Sequence, residues 1–353
     1  MPRDRAVTAP VYPRKPRPGD RVAVLSPSSG LPARLPAPFE LGMRRLREDF
    51  RLEPVEYPTT RRLDASPEDR ARDVNAAFAD PGIAAVIASI GGDDQISVLP
   101  HLDDDLLRAC PKPFFGYSDN TNLLVHLWNL GIVGYHGGSV MIEFGRPGAM
   151  HPTTAASLRA ALFTPGEHLL TPAERCGHVN RPWEDPRTFE TEPELEAAED
   201  WTWHNDGQVV EGVTWGGNLE ILSWLMMADR AIQPPDAYAG CVLFLETSEE
   251  MPPAREVYRT LRSMGERGLL RRFGALLMGR AKSWSFDRPL SAPERARYRQ
   301  EQREAVVAVL DRYAPGMPAV FDVDLGHTDP QTVIPYGGRV RVDGLARRIT
   351  VTY

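Results

Sequence analysis

The sequence predicts an α/β protein of two domains, with a mainly parallel sheet in the N-terminal domain and a smaller α+β C-terminal domain. Its 353 residues exceed the length over which one hydrophobic core usually keeps growing. Apolar runs alternate with amphipathic helical patterns over residues 20–163, which is typical of parallel βαβ units. After this region, strand and helix patterns no longer alternate regularly. We therefore expect domains at 1–165 and 207–353, joined by a polar segment at 166–206.

The elements of the N-terminal domain follow from apolar spacing and from helix-start residues. Short apolar runs with few polar positions predict strands buried on both faces. Prolines in the first turn and small polar residues before it mark helix starts. The first predicted strand begins at Arg21, the second and third span Leu52–Tyr57 and Ile83–Ile90, and the fourth ends at Gly116. The predicted helices are Pro38–Asp49, Ser66–Ala79, Asn122–Trp128 and Thr153–Ala161.

The C-terminal domain mixes strands and helices in a less regular order. The segment before it is polar, Pro-rich and acidic, and a segment of this length without periodicity is usually functional or mobile. The predicted strands are Val209–Trp215, Cys241–Glu246, Ala275–Gly279, Pro318–Asp322 and a strand region over Gly338–Val351; the helices are Leu219–Met227, Pro253–Met264 and Ala292–Tyr313.

Composition and charge exclude several classes of protein. Hydrophobic residues make up 42% of the chain and charged residues 25%, as in ordinary globular enzymes and unlike disordered chains. The net charge of −7, with lysines and arginines scattered singly, provides no basic surface for a nucleic acid polymer. No run is apolar enough to span a membrane, and the charged, Pro-rich start lacks the apolar core of a secretion signal. We therefore expect a cytoplasmic protein without a membrane partner.

The cysteines point to neither a disulfide framework nor a metal site. Cys110, Cys176 and Cys241 lie far apart and show no C-x-x-C spacing. Reduced, structural thiols are therefore expected. We predict no metal ligands on this basis.

Ser118 is the first candidate for chemistry. It lies where a short apolar strand breaks at Gly116 and a helix starts at Asn122. A hydroxyl on such a strand-to-helix turn is exposed beside a helix N-terminus, as an acyl-transfer nucleophile requires. The pattern Gly-Tyr-Ser-Asp-Asn keeps only the first glycine of the G-x-S-x-G elbow. Ser118 and Asp119 equally fit a simple helix cap.

Gly91 and Gly92 follow the preceding strand of the same sheet. Because carboxyl ends of parallel strands meet at one edge, these glycines are expected near Ser118. Backbone amides of Gly92 and Asp119 would then converge on a developing oxyanion. The alternative is a tight turn with no catalytic role, which is common for an isolated Gly-Gly pair.

An acyl-transfer serine needs a base and a carboxylate that orients it. His327 follows a strand in a loop rich in turn residues, and Glu246 ends an apolar strand. Singly, Glu246 also fits a helix cap and His327 an ordinary loop histidine. His136 is the rival base, although its position in Tyr-His-Gly-Gly suits a residue that lines the site or packs beneath it.

With these positions in hand, the chain resembles the serine LD-carboxypeptidases, and within them the branch of microcin C self-immunity proteins. The matching stretches occur in family order and cover nearly the whole chain. They are Val22–Pro27, Ser89–Asp93, Phe115–Thr121, Gly137–Gly138, Trp215–Leu219, Leu243–Glu246 and Asp324–His327.

The resemblance implies roles for the residues already singled out. Ser118 is expected as nucleophile, His327 as general base and Glu246 as its orienting acid, with the oxyanion held by amides of Gly92 and Asp119. It also implies a flavodoxin-like N-terminal domain, a triad split across two domains, catalysis without metal or cofactor, and a homodimer.

The resemblance leaves the substrate open between two branches. Muropeptide enzymes of the family remove a terminal D-residue from peptidoglycan fragments, whereas immunity-type members cut the amide between an aminoacyl group and a nucleotide-like moiety. The long segment at 166–206 favours the second branch. We expect Gly91, Trp183 and Asn218 to contact this substrate, with Trp183 stacking on a base.

Two alternatives stay open from the sequence. Trp201 and Trp203, at alternate positions, fit either a ligand contact or one face of a strand packed in the interior. The chain also fits a protein that holds a small ligand at Gly91 and Gly92 without turnover. The presence of Ser118, Glu246 and His327 together argues against that second alternative.

Overall fold

The computed structural model describes residues 10–353 and confirms the expected α/β class. Residues 1–9, part of the charged and Pro-rich start, lie outside the described residues. The strands are β1 (Arg21–Leu25), β2 (Glu53–Glu56), β3 (Ile83–Ala88), β4 (Phe114–Gly116), β5 (Gly134–His136), β6 (Glu167–Leu170), β7 (Arg175–Cys176), β8 (Glu196–Ala197), β9 (Thr202–His204), β10 (Val209–Asn218), β11 (Val242–Glu246), β12 (Ala275–Gly279), β13 (Ala319–Val323), β14 (Ile334–Tyr336), β15 (Arg339–Asp343) and β16 (Arg348–Thr352). The helices are α1 (Pro36–Glu48), α2 (Pro67–Ala79), α3 (Asp104–Ala109), α4 (Thr121–Asn129), α5 (Pro152–Phe163), α6 (Leu219–Met227), α7 (Ala254–Glu266) and α8 (Ala292–Tyr313).

The first sheet has six strands in the order β14-β5-β4-β3-β1-β2. Strands β1 to β5 are parallel and β14 is an antiparallel edge. The order 2-1-3-4-5 is that of flavodoxin-like folds, in which ligands bind beyond the carboxyl ends of the strands. The strands are buried because nearly every residue of β1, β3 and β4 is apolar and covered. The expected flavodoxin-like sheet is therefore confirmed.

The second sheet has eight strands in the order β6-β16-β15-β10-β11-β12-β13-β9. Strands β10 to β13 form a parallel centre, and antiparallel strands extend it at both edges. Strand β10 runs three residues beyond the predicted end. Its first half pairs with β15 and its second half, through Asn218, pairs with β11.

Short strands carry the chain between the two sheets. The segment at 166–206 supplies β6 and β9, one at each edge of the second sheet, and residues 334–336 return to the first sheet as β14. Strands of two to four residues are too short to show the alternation that predicts a strand. Trp203 lies in β9 opposite Val320, and Trp201 is 7% exposed. Trp201 therefore packs in the interior, whereas Trp203 is half-buried in the edge strand.

A continuous hydrophobic core runs through both sheets. The helix Ala292–Tyr313 has its predicted bounds, and its start carries a capping box of Ser291 and Glu294. No helix among residues 10–353 combines the length and apolar character needed to cross a membrane.

Candidate active site

Ser118 lies on a strained turn between β4 and α4. Its φ is +60°, a left-handed value that non-glycine residues adopt rarely and that is frequent at functional turns. A short 3₁₀ turn from Ser118 leads into α4, and no side chain in this part of the described chain caps either element. The cap interpretation of Ser118 is therefore not supported. The half-buried hydroxyl is presented by the strained turn that the elbow pattern predicted.

Gly91 lies directly against Ser118. A Cβ atom at position 91 would be 2.9 Å from Ser118 Cβ and 3.0 Å from its Oγ, so only glycine fits. Gly92 instead packs on the loop after β1, where an added Cβ would be 3.2 Å from the Cβ atoms of Ser28 and Ser29. The end of the β3 strand thus borders the serine, as expected, while the oxyanion role of the Gly92 and Asp119 amides stays a prediction.

Glu246 ends β11 and is completely buried. Its Oε1 accepts a hydrogen bond of 3.0 Å from Asn218 Nδ2. Cβ atoms at Gly279 or Gly326 would each lie 2.9 Å from Glu246 Cβ, so the carboxylate has one available position. Burial raises the pKa of Glu246, but the charge and hydrogen bond of His327 outweigh burial and lower it. The carboxylate is therefore ionised and fixed in place.

His327 lies in the loop after β13 and contacts two carboxylates. Its Nδ1 is 2.6 Å from Glu246 Oε2, and its Nε2 is 3.2 Å from Glu249 Oε2. Burial lowers the pKa of His327, but the charges of Glu246 and Glu249 outweigh burial and raise it to about 9. The predicted base and orienting acid are thus brought together.

The structure brings Ser118 to the same place without joining it to the histidine. The ring of Tyr117, the residue before Ser118, packs edge-on against the His327 ring at 5.0 Å between centroids. Within residues 10–353, no hydrogen bond links Ser118 Oγ to His327, and His327 Nε2 instead lies 3.2 Å from Glu249 Oε2 in an ion-pair contact. Ser118 therefore lies next to the pair of His327 and Glu246 but is not hydrogen-bonded to it.

A cleft of about 320 Å³ opens beside His327. Trp183 from the segment at 166–206 forms part of its wall, and its contact with a ligand stays a prediction. Lys282 also lines the cleft; it is 3% exposed and donates to Asn180 Oδ1 at 2.7 Å. Burial lowers the pKa of Lys282 to about 8. The cleft thus combines an aromatic wall with charged groups near the histidine.

Asn218 and His136 lie behind this site. Asn218 is 1% exposed; besides holding Glu246, its Oδ1 accepts from Ile221 N and caps α6. This position suits support of Glu246 better than the expected substrate contact. His136 is fully buried, its Nε2 lies 3.0 Å from Leu325 O, and burial lowers its pKa to about 4. It packs beneath the site, as the sequence suggested.

Sequence reasoning missed Glu249 and Lys282. Glu249 lies in the run Glu246-Thr-Ser-Glu-Glu250, where the sequence does not show which carboxylate turns into the cleft. Lys282 is distant in sequence from every other site residue and follows β12 in a region without a motif. Only its position after the carboxyl end of a central parallel strand was a usable signal.

One cluster elsewhere has metal-ligand chemistry. Cys176, His178 and Glu196 place one ligand atom each within 4.8 Å of one another, although their spacing gave no metal pattern. Burial and the neighbouring cations, chiefly Arg299, lower the pKa of His178 to about 2. Arg295 pairs with Glu196. The positive charge of the neighbouring arginines and the pairing of the Glu196 carboxylate oppose binding of a metal cation at this cluster.

Comparison with known proteins matches both the N-terminal and the C-terminal part of the chain to one family. Residues 22–137 match the LD-carboxypeptidase N-terminal domain, and residues 211–342 match the LD-carboxypeptidase C-terminal domain. The microcin C7 self-immunity protein MccF of Escherichia coli is 26% identical over 81% of this chain and 78% of its own. The murein tetrapeptide carboxypeptidase of Pseudomonas aeruginosa is 26% identical over 92% and 93%, respectively.

Solved structures match over almost the whole molecule. An MccF-like protein from Streptococcus pneumoniae in complex with AMP has a TM-score of 0.82 and 25% identity, over 95% of this chain and 99% of its own. MccF in complex with aspartyl sulfamoyl adenosine has the same fold, with a TM-score of 0.82 and 23% identity over 98% and 99%. Both domains and their arrangement are therefore shared, and the chain belongs to the LD-carboxypeptidase family.

Proposed function

We propose that this chain is a serine hydrolase that cleaves the amide between an aminoacyl group and a nucleotide-like moiety. The observation that carries the proposal is the 2.6 Å contact between His327 Nδ1 and buried Glu246, beside a serine on a strained strand-to-helix turn. Family membership supports the reaction class. The solved relatives with AMP and with aspartyl sulfamoyl adenosine support the substrate class.

In this proposal, Ser118 attacks the amide carbonyl. His327 Nε2 accepts the serine proton and then gives it to the leaving nitrogen, while Glu246 holds the imidazole through Nδ1. Backbone amides of Gly92 and Asp119 stabilise the oxyanion. Water then releases the acyl group by the same proton transfers. No step assigned to these residues calls for a cofactor.

Positioning residues support this chemistry from behind. Asn218 holds Glu246 Oε1 and its backbone N–H donates to Thr121 Oγ1 at 3.1 Å. Thr121 begins the helix that follows the serine turn. One residue therefore ties the carboxylate of the second domain to the nucleophile turn of the first, so we assign Asn218 to positioning instead of substrate contact.

Trp183 is proposed to stack on the base of the substrate. It is half-buried, lines the cleft and belongs to the segment at 166–206. Stacking on one base contributes about 1–3 kcal/mol, so we expect Trp183→Ala to lower kcat/KM about tenfold or more for an aminoacyl sulfamoyl adenosine. Trp203, in the outer strand β9, provides the matched control. An unchanged kcat/KM in Trp183→Ala would remove the stacking role.

The murein relative motivates a second candidate, removal of a terminal D-residue from a muropeptide. Parallel hydrolysis assays on an L,D-tetrapeptide muropeptide and on an aminoacyl sulfamoyl adenosine decide between them. We expect turnover of the second compound. Turnover of the muropeptide alone would shift the assignment to the peptidoglycan branch.

A serine-reactive probe tests the remaining alternative of a binding protein without turnover. The proposal expects one adduct on Ser118 in the folded protein, and absence of labelling would favour the binding protein. We carry the homodimer and the cytoplasmic location as parts of the proposal. Light scattering at assay concentration tests the dimer and fractionation of cells tests the location.

A further inference from the structure

Glu249 follows a serine that is held in place, and its own carboxylate is exposed. The loop after β11 is held where Ser248 N and Oγ donate to Glu220 Oε1 at 2.9 and 2.7 Å. From there the Glu249 side chain, 59% exposed, borders the cleft and places Oε2 3.2 Å from His327 Nε2. Its neighbour Glu250 is exposed and outside the lining of the cleft.

This contact opposes the role of His327 as a base. Nδ1 is hydrogen-bonded to Glu246 and Nε2 lies 3.2 Å from Glu249 in an ion-pair contact, so the two carboxylates together favour the ring with both nitrogens protonated. An imidazolium has no lone pair for the proton of Ser118. The Glu249 contact must therefore be broken before the serine is activated.

The charges around the ring favour the same protonated state. Burial works against it, but Glu246, Glu249 and Glu220 together raise the pKa of His327 to about 9. The other ionisable groups that face the ring are Tyr117, His136 and Glu143. Of these carboxylates, Glu143 and Glu249 line the cleft, and Glu249 alone is exposed to solvent, whereas Glu143 is buried.

The other cations that line the cleft near the histidine have partners of their own. Lys282 Nζ donates to Asn180 Oδ1 at 2.7 Å, and Arg146 Nε donates to Asp329 Oδ2 at 2.8 Å. Across residues 10–353, His327 is the one cation within 4 Å of the Glu249 carboxylate, and Lys282 acts on that carboxylate from farther away. An incoming cation would therefore compete with a single contact that is partly in solvent.

We propose that Glu249 binds an ammonium group of the substrate and that this pairing releases His327 Nε2 toward Ser118. The proposal rests on the function given above, because an aminoacyl group carries an ammonium on the carbon next to the attacked carbonyl. After the exchange, the Nε2 proton passes to solvent and the neutral imidazole accepts the serine proton. Glu249 is thus a specificity residue that selects aminoacyl groups with a free amine over N-acylated ones.

The test compares alanyl sulfamoyl adenosine with its N-acetyl derivative in the full-length wild type, Glu249→Gln and the matched control Glu250→Gln. Because close charge pairs contribute a factor of about ten or more in affinity, we expect the wild type and Glu250→Gln to prefer the free amine about tenfold in kcat/KM. In Glu249→Gln the preference should vanish. Removing this carboxylate should also move the acid limb of kcat/KM for the N-acetyl compound to lower pH.

Equal rates for both compounds in the wild type, or a preference that persists in Glu249→Gln, would overturn the inference and leave the proposed function intact. If the wild type hydrolyses neither compound, the proposed function fails and calorimetric binding to Ser118→Ala decides the inference. Tighter binding of the free amine that is lost in Ser118→Ala/Glu249→Gln supports it. Equal binding, or none, contradicts it.

Discussion

The imidazole of His327 is set between a buried and an exposed carboxylate, and this difference separates orientation from selection. Glu246 is immobile because Asn218 and two close glycines surround it. Glu249 follows Ser248, which is held by Glu220, and its own carboxylate is 59% exposed beside His327. Buried, paired carboxylates orient a base reliably, whereas an exposed carboxylate exchanges partners at small cost. The two contacts of one ring therefore serve different steps.

Asn218 provides a test of the orienting contact. Asn218→Ser keeps an oxygen that accepts from Ile221 N at the start of α6 but removes the amide that donates to Glu246 Oε1. A lost hydrogen bond to a buried charge costs about 1.5–3 kcal/mol, so we expect kcat to fall about 10- to 100-fold with little change in KM. Thermal denaturation checks that the variant folds, and an unchanged kcat would contradict the positioning role.

Single functional residues can be predicted from the sequence where they lie at the ends of predicted strands. Ser118, Glu246 and His327 were predicted because each lies at or just after the end of a buried strand. Asn218 was expected to contact the substrate, because the sequence does not show that β10 continues to it and turns its amide toward Glu246. Glu249 was missed for the same reason, since side-chain direction in a loop depends on contacts such as that of Ser248 with Glu220.

Two adjacent strand ends create the nucleophile turn. Strands β3 and β4 pair in parallel, so Gly91 and Ser118 emerge at the same edge of the first sheet. The positive φ of Ser118 and the close approach of Gly91 are features of the pair of elements together. The predicted helices and long strands were confirmed because their apolar patterns are strong, whereas β5, β6 and β9 have too few residues to show one.

Gly91→Ala tests this arrangement. The added methyl group would lie 2.9 Å from Ser118 Cβ, so it must displace the serine. Because small displacements of reacting groups cost about 10²-fold, we expect that loss in kcat/KM with a modest effect on stability. Gly207→Ala, where an added Cβ meets nothing within 4 Å, is the control. Wild-type activity in Gly91→Ala would show that the turn tolerates the methyl group.

The two sheets are linked more closely than in a protein whose two domains follow one another along the chain. Strand β14 belongs to the first sheet although β13 and β15, on either side of it in sequence, belong to the second. Gly217 of β10 lies so near Thr121 that an added Cβ would be 2.7 Å from its side chain. Sequence periodicity predicts elements but not such exchanges between sheets, because the pairing of short strands is set by long-range contacts.

This exchange predicts that the protein unfolds as one unit. Separate domains with polar interfaces unfold independently, but here one core runs through both sheets and the loss of one sheet removes an edge strand from the other. We expect a single calorimetric transition whose van't Hoff and calorimetric enthalpies agree. Two resolved transitions would show that the sheets are energetically separate.

The direct test of the central claim is single-turnover hydrolysis of alanyl sulfamoyl adenosine by Ser118→Ala, measured beside ligand affinity. Members of a catalytic triad act as a unit, so loss of the nucleophile should reduce the rate constant by about 10³-fold or more. Affinity should be retained, because the change removes one half-buried hydroxyl while Trp183 and Glu249 still line the cleft. Turnover at the wild-type rate in Ser118→Ala would contradict the account.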